Sequence, residues 1–134
     1  MTFRRVPMAK GDEQTVAPEG EYRLVIRKVT AKKTKKTNDD MDVLMIGFPD
    51  NPEFSPFSHF IVYQQGLDEE QQCMKAREMR RLCHVFDVPW TEEGVESDDF
   101  LGAEGTCMVG VETYEPEGGA PRTNNRLQLP RIEG

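Results

Sequence analysis

Several short segments of the chain alternate hydrophobic and polar residues with a period of two, which is typical of β-strands that bury one face. In the first segment, Tyr22, Leu24 and Ile26 share one face, whereas Arg23 and Arg27 lie on the other. Runs rich in glycine, proline and asparagine separate these segments and are typical of turns. The pattern predicts five strands, at Tyr22–Thr30, Met41–Phe48, Phe57–Gln64, Glu104–Tyr114 and Asn125–Leu129.

One longer segment, Asp68 to Asp87, has helical spacing instead. Asp68 is a favourable N-cap, and Gln71 occupies the capping-box position three residues later. Pro89 prevents the helix from continuing. A narrow apolar stripe predicts that the helix covers a core rather than running through it. The stripe consists of Ala76, Met79, Leu82, Cys83 and Phe86.

The order of elements, three strands, a helix and two strands, is the layout of a five-stranded OB-fold barrel. A β-sandwich with one helical crossover is the alternative, and the position of the helix favours the barrel. The length of 134 residues fits one domain. We expect a flexible N-terminal arm over residues 1–17 and the OB-fold-like domain over residues 18–134.

The formal charge of −7 conceals a strong polarity along the chain. Residues 1–36 contain ten Lys or Arg and four Asp or Glu, whereas residues 37–134 contain seven and twenty. The balances are therefore +6 and −13. Such a chain can present a basic surface despite its acidic total, although charged runs are more often simply solvated.

Enzymatic, metal-binding and membrane functions find little support in the motifs. The three cysteines and two histidines have no zinc-ligand spacing, and no nucleophile motif is present. Paired carboxylates such as Asp98-Asp99 allow a metal-dependent nuclease, but they lie in loops and at helix starts. No apolar run is long enough to span a bilayer, and no signal peptide is recognisable. We expect no catalysis, no cofactor and no membrane association.

Basic residues interleaved with aromatic ones are the remaining functional signal. In OB-folds, single strands bind across the second and third strands, between the loops that join strands one to two and four to five. Here both loops are basic, and the third strand carries aromatic rings for base stacking, although alternation alone does not decide which face of that strand is outward. The candidate nucleic-acid-binding residues are Lys32, Lys33, Lys35, Lys36, Arg23, Arg27, Phe57, His59, Tyr63, Tyr114, Arg122, Asn125 and Arg126.

The layout resembles that of the small single-stranded DNA-binding proteins of bacteriophages, including families long described as uncharacterised. The similarity extends over about residues 17–130. It is carried by Pro18–Tyr22 before the first strand, the lysine-rich loop Lys32–Lys36, His59–Val62, the helix Asp68–Phe86, Asp99–Gly102, Tyr114 and Arg122–Arg126.

The resemblance implies an OB-fold, non-specific binding of single-stranded DNA, and a role in phage DNA replication or recombination in the cytoplasm of an infected bacterium. Phage or host replication and recombination proteins would be further partners. Many members of these families end in an acidic tail that recruits partners, whereas this chain ends Leu129–Gly134 without one. The acidic stretch Thr91–Asp99 is the candidate to replace such a tail.

A protein-interaction module of a phage or mobile element is the second hypothesis. It rests on the −13 balance after residue 36 and predicts that a host protein binds the acidic surface.

Overall fold

The computed structural model describes residues 2–10, 15–114, 119 and 121–130. Among these residues the fold is mostly β, with a single α-helix between the third and fourth strands. Short 3-10 turns occur at Met8–Lys10 and Ser97–Phe100. The main elements are β1 (Gly20–Lys33), β2 (Asp40–Gly47), β3 (Phe57–Tyr63), α1 (Glu69–Phe86), β4 (Glu104–Tyr114) and β5 (Arg122–Gln128).

The five strands form one antiparallel sheet in the order β3-β2-β1-β4-β5. β1 is shared between two partners, because its first part, Gly20–Val25, pairs with β4 and Val25–Lys33 pairs with β2. The edge strands β3 and β5 approach each other. The described pairings do not join them, so the sheet is not closed into a barrel.

The predicted helix is confirmed together with its caps. The Asp68 carboxylate accepts a hydrogen bond from the Gln71 backbone N–H at 2.8 Å, and the Gln71 side-chain oxygen accepts one from the Asp68 N–H at 3.1 Å. This reciprocal capping box satisfies two amide groups that a helix start otherwise leaves unpaired. Asp87 ends the helix in a left-handed conformation, with φ of 52°.

The core lies between the inner face of the sheet and α1. Leu82, Cys83 and Phe86 of the predicted stripe are buried, whereas Ala76 at its start is exposed. The helix packs closely on β4, since a side chain at Gly105 would overlap the Val85 carbonyl group. The other buried hydrophobic residues of the core are Ala17, Leu24, Ile26, Leu44, Ile46, Phe48, Phe57, Ile61, Val88, Phe100, Cys107 and Val109.

The end of the expected N-terminal arm is packed against the domain. Thr15 forms a parallel bridge with Phe54, and Ala17 is 1% exposed. The ring of Phe54 contacts those of Tyr22 and Phe48 edge-on. Residues 1 and 11–14 of the arm lie outside the described part of the chain.

Candidate nucleic-acid interface

Strand register decides which side chains of the first three strands face outward. Residues directly opposite each other in an antiparallel pair project to the same face of the sheet. Leu44 lies opposite Val29 and His59, on the face that contains the core, whereas Val43 lies opposite Thr30 and Phe60. The outer face therefore carries Lys28, Thr30, Lys32, Met41, Val43, Met45, Ser58, Phe60 and Val62.

Phe60 is the prominent feature of this outer face. Its side chain is 59% exposed, and Met45 on the neighbouring strand is 39% exposed. Met41, Val43 and Val62 are half-buried around them. An aromatic ring surrounded by apolar side chains on an open sheet surface is suited to stack a flat, uncharged group. Phe60 is not among the residues predicted from the sequence, since the aromatic residues selected there lie on the opposite face of β3.

The strand register corrects the prediction that Phe57, His59 and Tyr63 stack bases. Phe57 is 3% exposed and belongs to the core. The Tyr63 hydroxyl donates a hydrogen bond to the Asp42 carboxylate at 2.7 Å. Burial is the largest cause that raises the pKa of Tyr63, and this hydrogen bond is the second. His59 faces α1, and burial lowers the pKa of its imidazole. All three rings therefore lie on the inner face of β3.

Two of the expected cations are already neutralised by carboxylates. Arg23 forms ion pairs with Asp50 at 2.9 Å and with Glu104 at 3.2 Å, and the bond to Glu104 raises the pKa of Arg23 further. Lys33 pairs with Asp40 at 2.8 Å. Exposed pairs of this kind are weak, but an anion must compete with them for the cation.

The other expected cations are exposed and form no ion pair within the described ranges. Lys35 and Lys36 occupy the loop between β1 and β2. That loop is closed by hydrogen bonds from the Thr34 N–H to the Asp39 carbonyl at 2.9 Å and from the Asn38 N–H to the Thr34 carbonyl at 3.1 Å. The unpaired set is Lys32, Lys35, Lys36, Arg27, Arg122 and Arg126, and Lys28, which sequence analysis did not select, belongs with them.

Asn125 has a structural role instead of the expected binding role. It is 3% exposed. Its side-chain oxygen accepts a hydrogen bond from the Ala17 N–H at 3.0 Å, and its amide nitrogen donates to the carbonyls of Ala17 at 2.8 Å and Gly110 at 3.2 Å. These bonds attach the chain before β1 to the hairpin of β4 and β5, and they occupy both N–H donors of the buried amide.

The two basic loops lie at opposite ends of β1. The lysine-rich loop follows Lys33 at the C-terminal end of β1. At the N-terminal end of β1, β4 runs antiparallel past Gly20 before the chain turns towards β5. Arg122 and Arg126 are exposed on β5, opposite Tyr114 and Gly110. The Tyr114 side chain and most of the loop between β4 and β5 lie outside the described residues.

The sequence matches no protein-family model, and it has no significant similarity to a curated protein. Within the described residues, no three His, Cys, Asp or Glu side chains converge to hold a metal ion. No described helix is both long and apolar enough to cross a membrane. All three cysteines are free, with Cys73 exposed and Cys83 and Cys107 buried.

Proposed function

We propose that this protein binds single-stranded DNA without sequence specificity and without catalysis, through the outer face of β1, β2 and β3. The observation that supports the proposal is the combination on one face of an exposed aromatic ring, Phe60, with the unpaired cations Lys28 and Lys32. The unpaired Arg27 side chain lies beside them, against Gly47. Stacking of a base on such a ring contributes about 1–3 kcal/mol, and the cations neutralise the phosphates.

The sheet topology supports an OB-fold-like interpretation. β1 is long and shared between β2 and β4, β3 and β5 are the edges that approach each other, and the helix connects β3 to β4. We propose that the sheet is an OB-fold barrel open between β3 and β5. In that architecture, the face of the second and third strands is the usual surface for oligonucleotides.

The biological role proposed here is support of phage DNA replication or recombination in the cytoplasm of an infected bacterium. The resemblance of the sequence layout to that of small phage single-stranded DNA-binding proteins motivates it. Non-specific binding through phosphates and base faces suits a protein that coats any exposed strand.

Fluorescence anisotropy with a labelled oligo-dT at a series of salt concentrations tests the binding proposal. If about four phosphates are neutralised, log K falls against log salt with a slope of roughly −3. Duplex DNA of the same length should bind more weakly, because its bases are not free to stack on Phe60. Absence of salt-sensitive binding at micromolar protein would refute the proposal.

A second candidate function, binding of a host protein, is favoured by a different surface. A groove of about 520 Å³ lies between α1 and residues 90–95, with Met79 and the half-exposed Trp90 in its lining and Glu92 and Glu93 beside them. A pull-down from nuclease-treated host lysate separates the two functions. A partner that is retained by the wild type and lost in a Trp90→Ala variant would favour protein binding.

A further inference from the structure

β1 contains a β-bulge that places two consecutive cations on one face. Ile26 lies opposite Ile46 and Lys28 lies opposite Met45, so Arg27 is the extra residue without a partner. In a regular strand, neighbouring side chains project to opposite faces. Here Lys28 shares the outer face with Met45, and the Arg27 side chain lies against Gly47, which is on the same face two residues along β2.

Gly47 makes room for the Arg27 side chain. A Cβ atom at this position would lie 2.6 Å from Arg27 Cζ and 2.9 Å from Cδ, and it would overlap Nε. These separations are far below van der Waals contact, so the guanidinium group can occupy this position only because residue 47 has no side chain. Gly47 therefore gives the Arg27 side chain room to lie against the sheet surface.

The two cations of the bulge have no compensating carboxylate. Arg27 and Lys28 form no ion pair within the described ranges, whereas Arg23, four residues before Arg27, is bridged by both Asp50 and Glu104. Adjacent like charges on one face repel each other, and an anion between them removes that cost. A guanidinium group matches the geometry of two phosphate oxygens, and an ammonium group adds a further donor.

We propose that Arg27, Lys28 and Gly47 form a preorganised subsite for one backbone phosphodiester group. This inference rests on the proposed binding of single-stranded DNA and assigns it a specific phosphate contact. The subsite lies two strands from Phe60 and at least two residues further along the sheet, since Lys28 is in register with Ser58, so the separation is about 12–14 Å. A strand whose base stacks on Phe60 therefore passes its phosphates near the bulge.

The test compares the salt dependence of oligo-dT binding by four variants, Arg27→Ala, Lys28→Ala, Gly47→Ala and the double variant Arg27→Ala/Gly47→Ala. Arg27→Ala and Lys28→Ala should each reduce the magnitude of the slope by about 0.7, the value of one phosphate contact with a single strand. The affinity ratio of wild type to variant should then shrink by about 2.6-fold between 50 and 200 mM salt.

Gly47→Ala should have the same effect as Arg27→Ala, because the new methyl group displaces the guanidinium group. The double variant should bind no more weakly than either single variant. Gly20→Ala is the matched control, since a Cβ atom there would meet Tyr22 at an ordinary 3.6 Å. If Gly47→Ala impairs folding in thermal denaturation, Arg27→Ala and Lys28→Ala still decide the question.

Two results would overturn the subsite, and they are distinguishable. If Arg27→Ala and Lys28→Ala both keep the wild-type slope of log K against log salt, the subsite is refuted while the proposed DNA binding is not. Absence of binding by the wild-type protein would refute both the proposed function and the subsite.

Discussion

On β3, neighbouring aromatic residues have opposite environments. Phe60 is 59% exposed among apolar side chains, whereas Phe57 is 3% exposed in the core. Replacing Phe60 with alanine should weaken oligo-dT binding by about 5–150-fold, which corresponds to the loss of one stacked base at about 1–3 kcal/mol. Because its ring is largely in water, the free energy of unfolding should change by less than about 1 kcal/mol. Anisotropy titration and urea denaturation measure the two quantities.

Phe57 on the same strand is the matched control for Phe60. Phe57→Leu should lower the free energy of unfolding by about 1–2 kcal/mol, because a leucine fills the aromatic site imperfectly. It should leave the affinity for oligo-dT unchanged under conditions where the variant is folded. The opposite result, with binding abolished in Phe57→Leu and retained in Phe60→Ala, would show that the strand presents its other face to DNA.

His59 makes global stability dependent on pH. Burial lowers the pKa of its imidazole, an effect that Glu78 opposes and Lys75 reinforces. The unfolded chain binds a proton at a pKa of about 6.5, and the folded protein does so only at lower pH. The free energy of unfolding should therefore fall as pH drops below about 6.5, by at most about 1.4 kcal/mol per pH unit.

Urea denaturation at pH values from about 7.5 to about 5.5 measures this dependence, above the range in which most carboxylates titrate. His59→Gln should flatten it, since glutamine takes up no proton. An identical profile in His59→Gln and wild type would contradict the assignment to His59.

At the scale of elements, the contact between α1 and β4 depends on Gly105. A Cβ atom at this position would lie 2.8 Å from the Val85 carbonyl carbon and would overlap its oxygen. Both neighbours are backbone atoms, so relief requires the helix to move away from the sheet and opens the core around Phe86. We expect Gly105→Ala to lower the free energy of unfolding by about 2–4 kcal/mol. Thr106→Ala, at the adjacent exposed position, should cost less than about 1 kcal/mol.

The elements themselves could be predicted from the sequence because their signals are local. The bounds of β4 were predicted as Glu104–Tyr114 and confirmed, and Asp68 caps α1 as expected. Three of the other strands begin earlier than predicted, with β1 starting at Gly20, β2 at Asp40 and β5 at Arg122. Alternation continues into residues whose polarity had suggested a loop, and only pairing with a neighbouring strand shows that they belong to the sheet.

The faces of the strands could not be predicted, because they depend on register between distant segments. A shift by one residue exchanges the inner and outer sets, and β3 carries apolar residues on both. The bulge at Arg27 has the same character: it is visible only where β1 is aligned with β2. Likewise, Asn125 is polar in a strand near a basic loop, and its buried bonds to Ala17 span 108 residues of sequence.

At the scale of the whole molecule, charge is distributed so that an acidic protein keeps a basic surface. The net charge is −7, yet the exposed cations of β1 and its following loop lie largely free of carboxylates, with Arg23 and Lys33 the exceptions. The triple variant Lys32→Ala/Lys35→Ala/Lys36→Ala should reduce the magnitude of the salt slope by about 2, because each phosphate that is no longer neutralised accounts for about 0.7 of the slope. Affinity should fall equally for oligo-dT and oligo-dA, since phosphates carry no sequence information. Lys33→Ala is the control within the same segment and should change the slope by well under about 0.7, the value of one phosphate contact, because Asp40 already neutralises this lysine. A triple variant that retains the wild-type slope would place the DNA elsewhere on the protein, away from the lysine loop.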